Sequence, residues 1–488
     1  MPTETELKLA IAPHAATRFR RHPLLRGVKP KTQRLMSLYF DTPDFDLAKR
    51  GIALRLRRVG YHWVQTLKAE AVSPGVLSQR PEWEMPITGN RPDLVVLPQE
   101  ARRLLDGVAL DDLAMCFGTE FTRTHWHIEQ DGTVVEVALD LGTVRAGERE
   151  QPISEVEFEL KQGSPDAIYA LARSMAETLP LTVEPRSKAR RGYILAGVIE
   201  EAPVRAGDVP LRKGQDARAA WSTMRDSALA QLLDNVPGLT TEDDPEYLHQ
   251  ARVAVRRLRA ILSLGRDIGL ASPAWLDDLR WLMGELSAAR DWDVFATETL
   301  PRVQAHCRDT ERLDALAKAV DNRRREAGAR ARAALADTRL VKLALAVESP
   351  PEWREIPEVA VETWAARSLA RRLKRVSKLG KHVERHDAAA LHALRIALKR
   401  LRYSAEAFAG LGAKGVKPYL RRLSHLQDAL GVANDLNVAR SLLADLAQVR
   451  HAQATGFVEG FLACESRSQI GAVERLYRDF SRARPFWA

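Results

Sequence analysis

Polar and apolar residues alternate strictly over short segments in the first 200 residues of the chain. The opening MPTETELKLA has charged residues at positions 4, 6 and 8 and leucines at 7 and 9. Successive side chains of a strand point to opposite faces of a sheet, so this pattern predicts a strand with one charged and one apolar face. Taken alone, the charged face would be solvated, as on most amphipathic strands.

The same alternation returns in six further segments. They are ALRLRR (53–58), WVQTLK (63–68), RPEWEM (80–85), FTRTHWH (121–127), VEVALDLG (135–142) and SEVEFELK (154–161). Such repetition predicts an antiparallel sheet with one apolar face. If the sheet closes with its charged face inward, carboxylates are expected in one sector and basic groups in another. Helices expected over residues 91–108 and 164–179 would cover the outward apolar face.

The residue types on the charged face suggest which ion it could bind. Packed carboxylates raise one another's pKa unless a cation lies among them. Cysteines and histidines lack zinc spacing, and all-oxygen sites suit hard cations, so Mg²⁺ or Mn²⁺ is predicted. His125 and His127 are expected to be wall residues rather than ligands, because Mg²⁺ sites seldom use imidazole.

These segments resemble the CYTH family, also called triphosphate tunnel metalloenzymes. The resemblance runs through ETELK, LRLRR, TLK, EWE, Arg123, LDLG, EVEFE and PRSKARRGY, and it covers about the first 200 residues. It implies an α+β domain built on an eight-stranded antiparallel β-tunnel with flanking helices. It also implies a triphosphate substrate, which in that family is inorganic triphosphate, thiamine triphosphate, an RNA 5′ end or ATP.

The resemblance further implies roles for individual residues. The expected metal ligands are Glu4, Glu6, Asp140, Glu155, Glu157 and Glu159. The expected phosphate-binding residues are Lys8, Arg55, Arg57, Lys68, Arg123 and Lys188. Glu82 and Glu84 are expected on the tunnel floor, where they would order basic groups or water. Phosphoryl transfer depends mainly on positioning and charge neutralisation, so these groups, apart from Glu159, form the predicted catalytic set.

After Gly197 the chain becomes rich in Ala, Leu and Arg with helical periodicity. We expect a tunnel domain at 1–200, a linker at 201–215 and an all-α domain at 216–488. The helical part contains an internal repeat: HQARVAVRRLR (249–259) returns 143 residues later as HALRIALKRLR, and AARDWDV (288–294) returns 144 residues later as VANDLNV. The predicted halves are about 216–347 and 360–488.

Each copy of the repeat has a basic stripe. His249, Arg252, Arg256 and Arg259 fall within about 80° of arc on a helix, opposite an apolar stripe. Since surface helices usually alternate their charges, two all-basic stripes predict an anion-binding surface. Its expected members are His249, Arg252, Arg256, Arg257, Arg259, His392, Arg395, Lys399, Arg400 and Arg402. The two histidines could instead be buried hydrogen-bonding residues.

Residues 216–488 resemble the CHAD domain, a helical domain of two four-helix halves. The resemblance implies inorganic polyphosphate as a ligand. Acidic and basic residues balance in residues 1–200, so the whole net charge of +10 lies in the remainder, which agrees with a polyanionic ligand. A nucleic acid is less expected, because we find no aromatic stacking platform.

The rest of the composition sets the expected location. The three cysteines form no disulfide or metal framework, which favours a reducing cytoplasm. Apolar runs are too short to cross a membrane, and the N-terminus does not resemble a secretory signal.

Together these features predict metal-dependent hydrolysis of inorganic triphosphate to pyrophosphate and orthophosphate, combined with polyphosphate binding. The alternatives are ATP cyclisation by an adenylyl cyclase, hydrolysis of thiamine or nucleoside triphosphates, non-catalytic polyphosphate binding, and nucleic-acid binding.

Overall fold

The chain forms two compact units in a computed structural model. The structure describes residues 3–69, 75–241, 244–307, 311–355, 357–381, 383, 387–446 and 452–487. The first unit comprises Met1–Val204, Leu233–Glu242 and Ala336–Pro350, and the second comprises Arg205–Leu232, Asp243–Leu335 and Pro351–Ala488.

Antiparallel strands build the first unit. They are β1 (Thr3–Ile11), β2 (Lys31–Asp41), β3 (Ile52–Val59), β4 (His62–Ala69), β5 (Leu77–Ile87), β6 (Ala114–Gln130), β7 (Thr133–Ala146), β8 (Arg149–Gln162) and β9 (Leu181–Val183). Their order is β5-β4-β3-β2-β6-β7-β8-β1-β9, and β1 also pairs with β5. That pairing sets Glu4 opposite Arg80 and closes eight strands into a barrel. The predicted eight-stranded antiparallel tunnel is confirmed, and the short strand β9 is an addition to it.

The strands turn their apolar residues outward, as the alternation predicts. Leu7 and Leu9 are fully buried in a cluster that Val137, Val156 and Phe158 complete from neighbouring strands. A second cluster, which contains Leu54 and Trp83, covers another part of the outer surface. A third cluster lies on the inner face instead, because Phe121 and Ile153 alternate in step with Arg123 and Glu155. Charged side chains at the alternate positions consequently face the interior of the barrel.

Short helices accompany the strands, and the last of these helices reaches the barrel interior, where Lys188 and Tyr193 line the cavity. They are α1 (Ala16–Arg20), α2 (Asp46–Lys49), α3 (Gln99–Leu104), α4 (Asp166–Ala176) and α5 (Lys188–Leu195). The helix expected over 164–179 is therefore present, but that expected over 91–108 is reduced to six residues. Pro98 disfavours helical conformation in the residue before it, and α3 begins directly after this proline.

The helices of the remaining chain are long. They are α6 (Ala217–Asp234), α7 (Val236–Thr241), α8 (Pro245–Gly265), α9 (Leu276–Val294), α10 (Leu300–Gln304), α11 (Glu311–Leu335), α12 (Thr338–Glu348), α13 (Val361–Gly380), α14 (Ala388–Ala407), α15 (Val416–Ala444) and α16 (Ala452–Ser481). A π-helical turn at Phe295–Thr299 joins α9 to α10. No helix of the described residues is long and apolar enough to cross a membrane.

The internal repeat is visible in the helical unit. Trp221 of α6 and Trp364 of α13 are both buried, and their indole N–H groups donate to the carbonyls of Ile261 and Leu264 at 2.8 and 3.3 Å. Helices α8 and α14, which carry the basic stripes, pack against each other. The predicted all-α second part is confirmed. Within the repeated VANDLNV segment, the side chains of 432–436 lie outside the described residues.

Helix α12 belongs to the first unit although it lies far along the chain. Val341 and Leu345 are fully buried in the same cluster as Leu7 and Leu9 of β1. At the end of α12, the Glu348 carboxylate accepts hydrogen bonds from residues of the first unit: Val76 N, Leu77 N and Tyr169 Oη. A Cβ added to Gly75 would lie 2.0 Å from Glu348 Oε1, so this approach requires glycine. Helix α12 thus fastens the start of β5, the strand that closes the barrel.

Replacing Glu348 by alanine is expected to lower the free energy of unfolding by about 1–3 kcal/mol. The reason is that buried backbone N–H groups would lose their acceptor. Urea unfolding followed by tryptophan fluorescence measures the change. Glu177→Ala is the matched control, since Glu177 pairs with Lys342 of the same helix at 2.6 Å but is exposed, and exposed pairs contribute little. Equal effects of the two substitutions would contradict this role for Glu348.

Candidate active site

The interior of the barrel is a cavity of about 820 Å³. Eleven of the thirteen predicted catalytic residues line it: Glu4, Glu6, Lys8, Arg55, Arg57, Lys68, Glu82, Glu84, Arg123, Glu157 and Lys188. Glu159, a predicted metal ligand, also lines it. Asp140 and Glu155 lie behind this surface and are fully buried. The alternation of the strands therefore brings charged groups from distant parts of the sequence to one enclosed space.

Glu4 lies between two cations at one wall of the cavity. Lys68 Nζ on β4 is 2.7 Å from a Glu4 carboxylate oxygen, and Arg80 Nε on β5 is 2.8 Å away. Arg80 also pairs with Glu6, and Lys68 is 3.0 Å from Glu82. Acidic and basic side chains therefore alternate in a network of ion pairs on the inner face of the barrel where β1 meets β5.

The pKa values of this network respond to burial and to the neighbouring charges. Burial acts to raise the pKa of Glu4, but Lys68 and Arg80 outweigh it and hold that pKa well below its usual range. Burial also raises the pKa of Glu82, to about 6; Lys68 opposes this shift and the Glu4 carboxylate adds to it. Glu4 therefore stays ionised at neutral pH. Glu82, whose pKa is raised, takes up a proton at a higher pH than Glu4 does.

A carboxylate triad, which we define as Asp140, Glu155 and Glu157, lies on β7 and β8, and β8 pairs with β1. One oxygen from each residue lies within 4.8 Å of the others. Lys188 Nζ of α5 is 2.7 Å from Asp140 and 2.7 Å from Glu157, and it also contacts Glu155. Arg123 Nη2 is 2.6 Å from Asp140 and also contacts Glu157. Three acids therefore surround one ammonium group.

The cations next to the triad control the pKa of Glu157. Burial alone would raise the pKa of Glu157, but Lys188 and Arg123 hold it well below its usual range. Burial opposes the charge of Lys188 in turn, yet Asp140 and the two glutamates raise the pKa of this lysine. Three carboxyl groups with neighbouring oxygens match the donors that hard divalent cations prefer, so these residues fit Mg²⁺ or Mn²⁺.

Arg57 has a different environment from the other tunnel cations. Its Nε donates to Ser37 Oγ at 3.2 Å, and among the described residues it forms no ion pair. Burial, together with the charges of Arg55 and Arg123, lowers the pKa of Arg57 to about 10. The positive charge of Arg57 is therefore repelled by Arg55 and Arg123 in the folded protein. An anion bound in the cavity would reduce this repulsion.

The sequence predicts an acidic sector and a separate basic sector inside the tunnel. This prediction is wrong, because acidic and basic side chains are interleaved. Lys188, expected to bind phosphate, lies among the carboxylates, and Lys8 donates to the carbonyl of Arg186. Arg80 and Arg191 complete the network but are absent from the predicted set. Arg80 lies two residues before Glu82 on the same strand face, and Arg191 is one helical turn beyond Lys188 and 3.2 Å from Glu155.

The second unit carries a basic cluster, which we define as Arg252 and Arg256 of α8 and Arg395, Lys399 and Arg402 of α14. Arg256 Nη1 donates to Tyr403 Oη at 3.2 Å across the two halves of the repeat. Burial and the charge of Arg256 lower the pKa of Arg252 to about 10. The pairing of α8 with α14 thus concentrates like charges from both stripes.

The other predicted members of the basic surface have different surroundings. Arg257 turns toward α6, where it donates to Gln231 at 2.6 Å and Ser227 at 3.2 Å. Arg259, Arg400 and His392 are exposed, whereas His249 is half-buried and its Nδ1 lacks a hydrogen-bond partner among the described atoms.

The fold and its two charged sites define a protein with a charged β-tunnel and a duplicated helical unit. Residues 2–193 match the model of the CYTH domain, and residues 223–444 match that of the CHAD domain. The chain therefore carries a CYTH domain in its N-terminal part and a CHAD domain in its C-terminal part. Both resemblances proposed from the sequence are therefore confirmed.

Individual proteins resemble different parts of the chain. An inorganic triphosphatase of Haemophilus influenzae is 34% identical over 199 residues, which is 40% of this chain, and the chain spans 55% of that protein's length. An uncharacterized protein of Mycobacterium tuberculosis is 26% identical over 459 residues, covering 86% of this chain and 83% of that protein. The crystal structure of the CHAD domain from the plant Ricinus communis is 31% identical, with a TM-score of 0.51, and covers 58% of this chain and 98% of that one.

Proposed function

We propose that the tunnel hydrolyses inorganic triphosphate to pyrophosphate and orthophosphate. The observation that carries this proposal is Arg57, a cation without an ion pair among the described residues, which faces the cavity beside Arg55 and Arg123. A polyanion would supply the missing counter-charge. The triphosphatase of Haemophilus influenzae, which resembles the N-terminal part of this chain, supports triphosphate as that anion.

The tunnel residues would act mainly by positioning the substrate. Arg57, Arg55 and Arg123 would bind phosphate oxygens, which aligns the terminal phosphorus for attack by water. The oxygen of that water forms a bond to the terminal phosphorus while the anhydride bond breaks, and the electron pair leaves with pyrophosphate. Glu82, with its pKa raised to about 6, is the wall carboxyl suited to receive the proton of the water.

A divalent cation would be held by the carboxylate triad, whose clustered oxygens fit Mg²⁺ or Mn²⁺. When bound, it would neutralise phosphate charge and lower the pKa of a water molecule. The cation would compete with Lys188 for the same oxygens. Lys188 would then be free to bind a phosphate oxygen, which agrees with the role expected from the sequence.

Phosphate release from inorganic triphosphate, ATP, thiamine triphosphate and long-chain polyphosphate tests this proposal. Each substrate is assayed with Mg²⁺, with Mn²⁺ and with EDTA, and the products of ATP are examined for cyclic AMP. We expect release to be fastest on inorganic triphosphate and to fall to background in EDTA. Cyclic AMP, or faster release from a ring-bearing triphosphate, would replace the proposed substrate with one of the alternatives. Absence of release from every substrate would overturn the enzymatic proposal.

The basic cluster supports a second function, the binding of inorganic polyphosphate by the helical unit in the cytoplasm. Burial and the charges of Arg395, Arg256 and Arg252 lower the pKa of Lys399 to about 7, which reflects a concentration of positive charge. A flexible polyanion would contact several of these groups at once. Competition between polyphosphate and RNA for the full chain distinguishes this ligand from nucleic acid, because RNA should displace polyphosphate poorly.

Polyphosphate binding is expected to strengthen as the pH falls through 7. Lys399 is mostly neutral above pH 7 and charged below it, and a bound oxyanion favours the charged form. Binding at pH 7 should therefore take up a proton, which calorimetry in buffers of different ionisation enthalpy measures. The groups that face Lys399 are Arg252, Arg256, Asp291, Arg395 and Arg402, and none of them has an ordinary pKa near 7.

Lys399→Arg is the matched variant for this measurement. It keeps the charge at all relevant pH values, so it should bind polyphosphate without the proton uptake near pH 7. An identical proton uptake by Lys399→Arg and the unmodified chain would contradict this role for Lys399.

A further inference from the structure

Two histidines and a glutamate lie side by side on the tunnel wall, apart from the carboxylate triad. His125 and His127 are alternate residues of β6, so both share the inner face with Arg123. Glu136 on β7 pairs directly with His127, and His127 Nε2 is 3.2 Å from Glu136 Oε2. The centroids of the two imidazole rings are 5.4 Å apart, with an interplanar angle of 83°. One ligand atom from each of the three residues lies within 4.8 Å of the others.

The surroundings leave space for an ion at this position. His125 pairs with Ala138 on β7, whose methyl group is small, and both His125 and Glu136 line the cavity. His125 Nδ1 is buried without a hydrogen-bond partner among the described atoms. Burial also lowers the pKa of His125, which keeps its imidazole in the neutral form that binds metals.

The nearby charges limit which ion could bind. Lys31 pairs with His125 from β2, and Arg123 precedes it on the inner face, so Glu136 supplies the compensating negative charge. Two imidazoles and one carboxylate suit borderline cations such as Zn²⁺, Co²⁺ and Ni²⁺ and do not suit Mg²⁺. The sequence predicts both histidines as wall residues rather than ligands, and a site here departs from that prediction because Glu136 of the neighbouring strand adds the third ligand.

We infer that His125, His127 and Glu136 form a separate site for a borderline transition-metal ion on the inner wall of the tunnel. Three protein ligands leave at least one coordination position open, and the cavity would supply water or another oxygen ligand there. The inference concerns binding alone, and it holds whether or not the tunnel hydrolyses triphosphate.

Zn²⁺ binding to the full, untagged chain tests the inference. The protein is first stripped with EDTA, dialysed, and saturated with Mg²⁺ so that hard-cation sites are filled. Zn²⁺ is then titrated in competition with a chromophoric chelator. We expect the chain to bind one equivalent of Zn²⁺ that His125→Ala/His127→Ala loses and Glu136→Gln binds more weakly. His62→Ala, which removes an exposed histidine of β4, should retain this equivalent.

Co²⁺ absorption supplies an independent readout of the ligands. The visible bands of bound Co²⁺ should disappear in the double variant and persist in His62→Ala. Thermal unfolding without metal shows whether each variant is folded, and the isosteric Glu136→Gln remains informative if the double variant is not. Equal Zn²⁺ stoichiometry and affinity in the unmodified chain, the double variant and Glu136→Gln would overturn the inference, because other groups would then hold the ion.

Discussion

Arg57→Ala is expected to reduce kcat/KM for inorganic triphosphate by about 10²–10³, the cost typical of removing one fixed electrostatic donor from an active site. Arg57 faces the cavity and lacks an ion pair among the described residues, so its charge is available to a phosphate oxygen. Steady-state phosphate release over a range of triphosphate concentrations measures the loss.

The same substitution should leave folding intact or improve it. Burial and the charges of Arg55 and Arg123 lower the pKa of Arg57, so the charged guanidinium is disfavoured in the folded state. Added tripolyphosphate should raise the melting temperature of the unmodified chain and do so less for Arg57→Ala.

Arg58→Ala is the matched control for this prediction. Arg58 is the next residue of β3, points to the opposite face and is exposed, with its Nε donating to the carbonyl of Gly60. Near-normal kcat/KM is expected for this control. Full activity of a folded Arg57→Ala variant would contradict the proposed tunnel chemistry.

Glu157→Gln is expected to raise the Mn²⁺ concentration needed for half-maximal activity by at least about 10-fold, and to lower kcat as well. Glu157 is the member of the carboxylate triad that lines the cavity, so its oxygens are the ones that can reach both a cation and the substrate. The amide keeps the size of the side chain but removes the negative charge. Phosphate release titrated with Mn²⁺ measures the change.

Glu157→Gln should also be less stable, because Lys188 and Arg123 lose one ionised partner. The carboxylate of Glu157 stabilises the fold only while it is ionised, and its pKa is held well below the usual range. This contribution is therefore present at neutral pH and lost only in strong acid. Circular dichroism identifies the conditions in which the variant is folded for assay.

Glu150→Gln provides the comparison on the same strand. Glu150 lies on β8 but is exposed, and its partner Arg145 is 2.8 Å away at the surface. The metal requirement of this control should be unchanged. An equal Mn²⁺ requirement in Glu157→Gln and in the unmodified chain would remove the triad from the proposed cation site.

The barrel could be predicted because the two faces of its strands lie in different environments, an apolar one outside and a charged one inside. Each segment from ETELK to SEVEFELK has an apolar face that packs on surrounding elements and a charged face toward the interior. These two faces produce the alternation of apolar and charged residues that is visible in the sequence. Strand β9 could not be predicted in this way, since three residues are too few to show a period. The shortened helix α3 reflects the local effect of Pro98.

The identity of the tunnel residues was also predictable, but their pairing was not. Alternation assigns Glu4 and Lys68 to the interior, and the family resemblance adds Lys188, but neither states which elements become neighbours. The register of β1 with β5 and the position of α5 decide that Glu4 meets Lys68 and that Lys188 meets the triad. Long-range contacts of this kind are not contained in local periodicity.

The basic stripes illustrate a related limit. A helical projection places Arg256 and Arg257 near each other in sequence, yet neighbouring residues lie about 100° apart on a helix. In the structure Arg256 joins the basic cluster, whereas Arg257 turns toward α6. The repeat predicted that two copies exist, and the packing of α8 on α14 selects which members of each copy meet.

The position of helix α12 has a consequence for synthesis on the ribosome. The strands of the barrel are translated first, and Glu348 follows more than a hundred residues after α5. Translation proceeds at about 5–20 residues per second, so the strands emerge on the order of 10 s or longer before the helix that binds the start of β5. A message that ends after α5 would encode every tunnel residue of the predicted catalytic set but not this fastening.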